Sequence, residues 1–217
     1  MALLKSLWRS LEKMQIQPAH AGSTDIHEAV KTGDLRWLVE LLEGGADVHM
    51  LDVQGAPPLQ VAAALGHVEI ARLLVEKGAD VNFVSQKRGT PLMVAAACLQ
   101  PEVIKLLICR DADLNKKGVA GRFPVFGPYR RSVIAVDLQV KCIRLLVANG
   151  ARINERTDAG ETALMRAAWF GNREAVKELL RLGADPLLRN ARHATAMMQA
   201  TERGHEELAR MLKQHMG

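Results

Sequence analysis

Residues 78–115 read GADVNFVSQKRGTPLMVAAACLQPEVIKLLICRDADLN, a segment that opens and closes on versions of the same pentapeptide. Copies of it end at His49 (GADVH), Asn82 (GADVN), Asn115 (DADLN), Asn154 (GARIN) and Leu187 (GADPL), so successive copies stand 33, 33, 39 and 33 residues apart. A fixed period of tens of residues decides the architecture before local propensity is weighed. Each copy marks one supersecondary unit that cannot bury its apolar face alone and must stack on its neighbours.

Between copies the same signals recur in the same order. Thr90-Pro91-Leu92 opens the first helix of the third unit, with Pro57-Pro58-Leu59, Thr162-Ala163-Leu164 and Thr195-Ala196-Met197 as variants elsewhere. Proline at the first turn loses no hydrogen bond, since that N–H has no intrahelical partner, and a preceding threonine caps the free donors. The small pairs Ala62/Ala63, Ala95/Ala96 and Ala167/Ala168 let first helices approach closely, while Leu41/Leu42, Leu74/Val75, Leu107/Ile108, Leu146/Val147 and Leu179/Leu180 form an apolar stripe on the second helices. Gly45, Gly78, Gly150 and Gly183 follow those helices, where a left-handed residue commonly ends them. Asp111 stands there in the third unit and predicts a weaker turn, and Leu99 and Leu138 occupy the inter-helix glycine position of units three and four.

Period, turn and helix motifs together resemble the ankyrin-repeat family, whose unit is about 33 residues with a T-P-L-H-x-A signature. The resemblance covers about residues 22–217 as units of about 22–54, 55–87, 88–126, 127–159, 160–192 and 193–217, the first and last weaker. It implies an all-α, ankyrin-repeat solenoid of about six helix-turn-helix units with hairpin fingers. Lys213 replaces the second Leu of the pair in HEELARMLKQH, which gives the last helix the polar outer side that a stack needs where it stops. Upstream, MALLKSLWRSLEKM sets Leu3, Leu4, Leu7, Trp8, Leu11 and Met14 at helical spacing, predicting an amphipathic helix within residues 1–21. Such a helix caps the stack, lies on a membrane surface through residues 1–14, or binds a partner.

Composition excludes several classes. With 48% apolar residues the chain can bury a core, and no run approaches the roughly 18 apolar residues that spanning a bilayer requires. The first apolar run breaks at Lys5, so neither a membrane span nor a secretory signal is expected. Cys98, Cys109 and Cys142 are odd in number and lack C-x-x-C spacing, which predicts reduced core thiols rather than a disulfide framework or a zinc site. A cytoplasmic location follows, with an exported effector lacking a classical signal peptide as the alternative. The net charge of +5 favours an acidic partner.

No phosphate loop, H-E-x-x-H, G-x-S-x-G or paired cysteine cluster is present, and the seven histidines are scattered over turns and helix starts. No catalytic residue, cofactor, metal or small-molecule substrate is expected, so function is sought in surfaces. The family resemblance implies that partners bind the fingers and the concave face of the first helices. Carried over position by position, that face includes Lys31/Thr32, Ala64/Leu65, Ala97/Cys98, Val136/Asp137, Trp169/Phe170 and Glu202/Arg203. Trp169 and Phe170 stand out, with Arg166 beside them, because aromatics and arginine concentrate binding energy.

The longer unit holds GRFPVFGPYRRS, residues 121–132, with the only tyrosine and two of the four phenylalanines. Counting back from Asn154 sets Gly127-Pro128-Tyr129-Arg130-Arg131 where other units have G-x-T-P-L. Loop insertion is cheap, about 0.6 kcal/mol per doubling of length, but cheapness does not explain a composition rich in Phe and Arg. Either Phe123 and Phe126 fold back to fill the gap left by Arg131, or the long finger binds. The candidate partner-binding set is Trp169, Phe170, Arg166, Phe123, Phe126, Tyr129, Arg130 and Arg122. The expected function is a non-enzymatic protein-protein interaction module, monomeric alone, for a partner with an acidic and partly apolar surface. The alternative is an inhibitor or immunity/effector-type regulator of an enzyme, and nucleic acid ranks below protein as a partner.

Overall fold

The computed structural model describes residues 21–126 and 136–216, with the backbone alone described for 21–24 and 126. Among the described residues there are eleven α-helices: α1 (Ala21–Thr32), α2 (Leu35–Glu43), α3 (Pro58–Leu65), α4 (Val68–Glu76), α5 (Pro91–Ala97), α6 (Pro101–Ile108), α7 (Val136–Ala148), α8 (Ala163–Trp169), α9 (Arg173–Arg181), α10 (Ala196–Glu202) and α11 (Glu206–Gln214). Two short 3-10 turns, Val119–Gly121 and Pro124–Phe126, precede α7. The helices stack as pairs. First helices pack on one another in one layer (α1 on α3, α3 on α5, α8 on α10), and second helices in another (α2, α4, α6, α7, α9).

The recurrent motifs act as their chemistry requires. Thr90, Thr162 and Thr195 are each 1% exposed and accept from the backbone N–H of Met93 (3.2 Å), Met165 (3.3 Å) and Met198 (3.3 Å). The three alanine pairs are fully buried in the first-helix layer. Leu74, Leu107, Leu146 and Leu179 are fully buried too, and the residue after each is half-buried against the neighbouring unit. Asparagines lace the connections together. Asn82, Asn115 and Asn154 each donate to a carbonyl of the following unit (Asp111, Gly150 and Gly183) and accept an N–H from it (Asp113, Arg152 and Asp185). At the second-helix starts, the His67 and His205 rings lie over Gly33 and Gly171 of the preceding unit, where a Cβ would come within 3.3 Å and 2.5 Å of the imidazoles.

The hairpin fingers are corrected. Among the described residues there is no strand, only an isolated antiparallel bridge between Ser85 and Gly89. The connections are chains of tight turns, because Asp47, Asp80, Asp113 and Asp185 each take the backbone N–H two residues on at 2.8 Å. A side chain that hydrogen-bonds its own backbone offers an alternative to a ladder between strands. The expected N-terminal helix, in residues 1–20, lies outside the described residues, as do Gly127, Tyr129, Arg130 and Arg131.

Leu99 and Asp111 keep the left-handed turn without glycine, at φ +58° and +60°. Leu138 does not: it lies inside the uninterrupted α7. Pro101 accounts for the difference, since a proline cannot continue a helix from α5 and forces a break before α6, whereas Val140 carries no such prohibition. Val136 and Asp137, expected on the first-helix face, therefore form the first turn of α7 in the second-helix layer. The turn Pro124–Phe126 packs on α5, α7 and α8, bridging the first helices of units three and five.

Across the second-helix layer, Glu178 of α9 is 6% exposed and held by Arg144 of α7 (2.8 and 3.0 Å) and Arg181 (2.6 to 3.1 Å). The hydrogen bonds from Arg144 and Arg181 hold its carboxyl down at about 2, against the opposing effect of burial. A depressed pKa stabilises above the unfolded value near 4.5 and loses that contribution as pH falls through the folded one. The stability gap between wild type and Glu178→Gln is expected to be about 1–3 kcal/mol at neutral pH and to close between about pH 4.5 and 2, as read by urea unfolding across pH. Asp111→Gly is expected to stabilise by roughly 0.5 kcal/mol in the same assay, because relief of the left-handed strain exceeds the added freedom of the unfolded glycine.

Candidate functional site

Trp169 ends α8 and Phe170 caps it, with the Phe170 N–H donating to the Arg166 carbonyl. Both rings are half-buried, and each carries a guanidinium: Arg203 Cζ lies 4.6 Å from the Trp169 centroid and Arg166 Cζ 5.1 Å from that of Phe170. The face thus presents arginines backed by rings. Stacking engages the flat side of a guanidinium, contributes roughly 0.5–1 kcal/mol at exposed sites, and orients the N–H edge that forks onto carboxylates.

Arg166 also divides two small cavities. One, of about 100 Å³, is bounded by Lys87, Arg88, Arg122 and Arg166 over a floor that includes Met93 and Phe123. The other, of about 160 Å³, is lined by Glu161, Arg166, Trp169, Arg192 and Gln199. In the second, the Glu161 carboxylate accepts from the Gln199 amide (2.8 and 2.9 Å) and the Asn190 amide (2.5 Å), so neutral donors hold it. A third and larger depression, about 730 Å³, lies between α7 and α9 on the other layer, where Glu178 and its arginines line it.

The structure separates the eight candidate residues. Phe123 is 4% exposed and belongs to the core, with Lys117 Nζ 5.9 Å from its ring centre. Arg122, next to it, is exposed at the rim of the 100 Å³ cavity, together with Arg166. Phe126 closes the second 3-10 turn, and Tyr129 and Arg130 lie outside the described residues. Arg203 and Arg192 complete the group. Arg203 was one of the carried-over face positions, but nothing in the sequence marks it as the partner of Trp169 one unit earlier; Arg192 had no signal beyond its place in a connection.

Charge pairing is concentrated on the second helices of units two to five. Every Lys or Arg on α4, α6, α7 and α9 is ion-paired: Arg72 with Glu69, Lys105 and Lys141 with Glu102, Arg144 and Arg181 with Glu178, Arg173 with Glu207, and Lys177 with Glu174. By contrast Lys87, Lys116, Lys117, Arg122, Arg192 and Arg203, all exposed on the connections or at the end of α10, make no ion pair among the described residues. Arg88 donates to the neutral Gln54 amide and lies near enough to Asp52 for its charge to help hold that carboxyl low. Arg110 and Arg152, also on the connections, pair with Glu76 and Glu155.

No group of three or more His, Cys, Asp or Glu able to hold a metal occurs among the described residues. Cys142 is fully buried, and burial pushes its thiol up to about 12, which leaves it without thiolate character. Cys98 is partly exposed and Cys109 exposed, so only Cys142 is a core thiol.

Family models described as "Ankyrin repeats (3 copies)" and "Ankyrin repeats (many copies)" match residues 26–118 and 134–180. An ankyrin repeat-containing protein of Treponema pallidum (strain Nichols) is 39% identical over 71 residues, 32% of this chain and 24% of that protein. Protein phosphatase 1 regulatory subunit 27 of Mus musculus is 39% identical over 63 residues, 29% of this chain and 41% of its own length. The chain thus spans less than half the length of these curated relatives. Among solved structures, a chain of the complex between the predatory endopeptidase Bd0816 of Bdellovibrio bacteriovorus and the immunity protein Bd3460 superposes with a TM-score of 0.75 at 25% identity, over 88% of this chain and 97% of that one.

The burial of Phe123 has a direct consequence. Phe123→Ala is expected to cost about 3–5 kcal/mol in urea unfolding, as for other buried rings, whereas Arg122→Ala beside it should stay within about 0.5 kcal/mol of wild type.

Proposed function

The chain belongs to the ankyrin-repeat family, and from that premise we propose that it is a non-catalytic binding protein that holds and inhibits an enzyme through its first-helix face and connecting turns. One observation carries the reading: every Lys or Arg of α4, α6, α7 and α9 is ion-paired, whereas Lys87, Lys116, Lys117, Arg122, Arg192 and Arg203, on the connections and at the end of α10, make no ion pair among the described residues. A surface that keeps its like charges unpaired gains from an acidic partner twice, through faster encounter and through relief of self-repulsion. The arginines stacked on Trp169 and Phe170 give that surface a rigid centre of the residue types in which binding energy concentrates.

Inhibition of an enzyme, rather than binding alone, is favoured by the likeness to a chain of the complex of an endopeptidase with its immunity protein, which covers 88% of this chain and 97% of that one. The partner of this chain is identified by chemistry alone: an enzyme with an acidic and partly apolar patch. Compartment follows the partner, and cytoplasmic pairing is the simplest arrangement.

The test is affinity capture from the encoding organism, followed by an activity assay of each captured enzyme at one-to-one stoichiometry. Wild type is expected to inhibit the partner, and a Trp169→Ala/Phe170→Ala variant that still folds should lose at least about tenfold in affinity, as two central contacts commonly cost. Undiminished affinity in that variant would remove the face from the reading. Captured enzymes that all keep full activity would remove inhibition. Affinity falling by several decades between 50 and 200 mM salt would point instead to nucleic acid.

A further inference from the structure

We infer that the cavity bounded by Lys87, Arg88, Arg122 and Arg166 receives one carboxylate side chain from an extended acidic segment of the protein partner. The inference rests on the reading of the chain as a protein-binding module and names the group that its basic centre recognises.

The size of the cavity decides the class of ligand. Pockets for cofactors and drug-sized molecules run to about 300–1,000 Å³, and this one holds about 100 Å³, the room of a single side chain. Its lining decides the chemistry. Four cationic groups stand around a floor of Met93, Ala97 and the core ring Phe123, and no carboxylate lines it. Lys87 and Arg122 make no ion pair among the described residues; Arg88 donates to the Gln54 amide and feels the Asp52 carboxylate, which does not line the cavity. An apolar floor lowers the local dielectric and strengthens whatever charge-assisted hydrogen bonds form above it.

The longer connection builds this site. Arg122 and Phe123 belong to the segment that makes the third-to-fourth spacing 39 rather than 33 residues, and Lys87 and Arg88 sit on the preceding connection. Phe123 turns inward as floor while Arg122 turns outward as rim, so one insertion supplies both parts. Arg166 then leads into the second cavity, where Trp169, Arg192 and the amide-bound Glu161 offer a stacking face and an acceptor. Two adjoining depressions with a shared wall suit neighbouring residues of one extended chain rather than a free anion.

Binding of fluorescein-labelled hexaglutamate to the full chain, followed by anisotropy at constant ionic strength, tests the inference against hexaglutamine as the neutral control. Lys87→Gln and Arg122→Gln are each expected to weaken hexaglutamate binding at least about fivefold, as loss of a desolvated charge contact does. Lys177→Gln, on the opposite layer, should leave it unchanged. Equal loss in all three variants, or no loss in the first two, overturns the assignment. So does displacement of the peptide by inorganic phosphate at matched ionic strength and equal concentration, which would make the cavity a phosphate site. Enzyme inhibition by wild type together with unchanged peptide binding in the cavity variants would remove this cavity while leaving the functional reading in place. Selective peptide loss without any inhibited enzyme would do the reverse.

Discussion

A helix pair of about 33 residues cannot close a core around itself, and every other feature of this molecule follows from how its units share that burden. The alanine pairs of α3, α5 and α8 are fully buried in the layer where first helices pack on one another or on the Pro124–Phe126 turn, and Leu74, Leu107, Leu146 and Leu179 of the second-helix pairs are fully buried too. Stability is then a sum of seams. Histidines over glycines at the helix turns, asparagines across the connections and Glu178 between α7 and α9 all join one unit to the next. A flaw in one unit is therefore felt mainly at its two seams, and a flaw that is filled from elsewhere can persist.

The longer unit shows such filling. The Pro124–Phe126 turn packs on the first helices of units three and five, with Phe123 and Val125 buried at 4% and 2% exposure. The alternatives left open by the sequence, a ring as repair or a ring as binding element, are resolved for Phe123 by division of labour between adjacent residues. The ring fills the seam, and the neighbouring Arg122 faces outward. Adjacent residues in an extended segment point to opposite sides, so a repair of the core displays its neighbours without further design.

How much of this was legible in the sequence depended on whether a feature is local or collective. The period, the Thr-Pro-Leu starts and the turn glycines are local, and Thr90, Thr162 and Thr195 cap as their chemistry requires. Hairpin fingers came with the family resemblance and failed because Asp47, Asp80, Asp113 and Asp185 satisfy the backbone within each turn. Treating Leu99 and Leu138 alike failed as well, since Pro101 breaks one helix and nothing breaks the other. The sequence pointed to Trp169 and Phe170 with Arg166 beside them. It could not show Arg203 stacked on one of them, because that contact depends on how two units pack.

Charge was legible only as a total. A net +5 spread evenly would give a weak, undirected attraction, roughly one unit of charge per repeat. Packing gives it direction by pairing: seven cations on α4, α6, α7 and α9 are neutralised by neighbouring glutamates, while Lys87, Lys116, Lys117, Arg122, Arg192 and Arg203 on the connections and the end of α10 make no ion pair among the described residues. The same glutamates stabilise the second helices of units two to five and reduce their attraction for anions. Surface pairs of this kind are individually worth about 0–1 kcal/mol, too little to explain their regularity as stability alone. Their larger effect is subtraction: they lower the positive field over the second helices of units two to five, which favours the arrival of an acidic partner where the stacked arginines are.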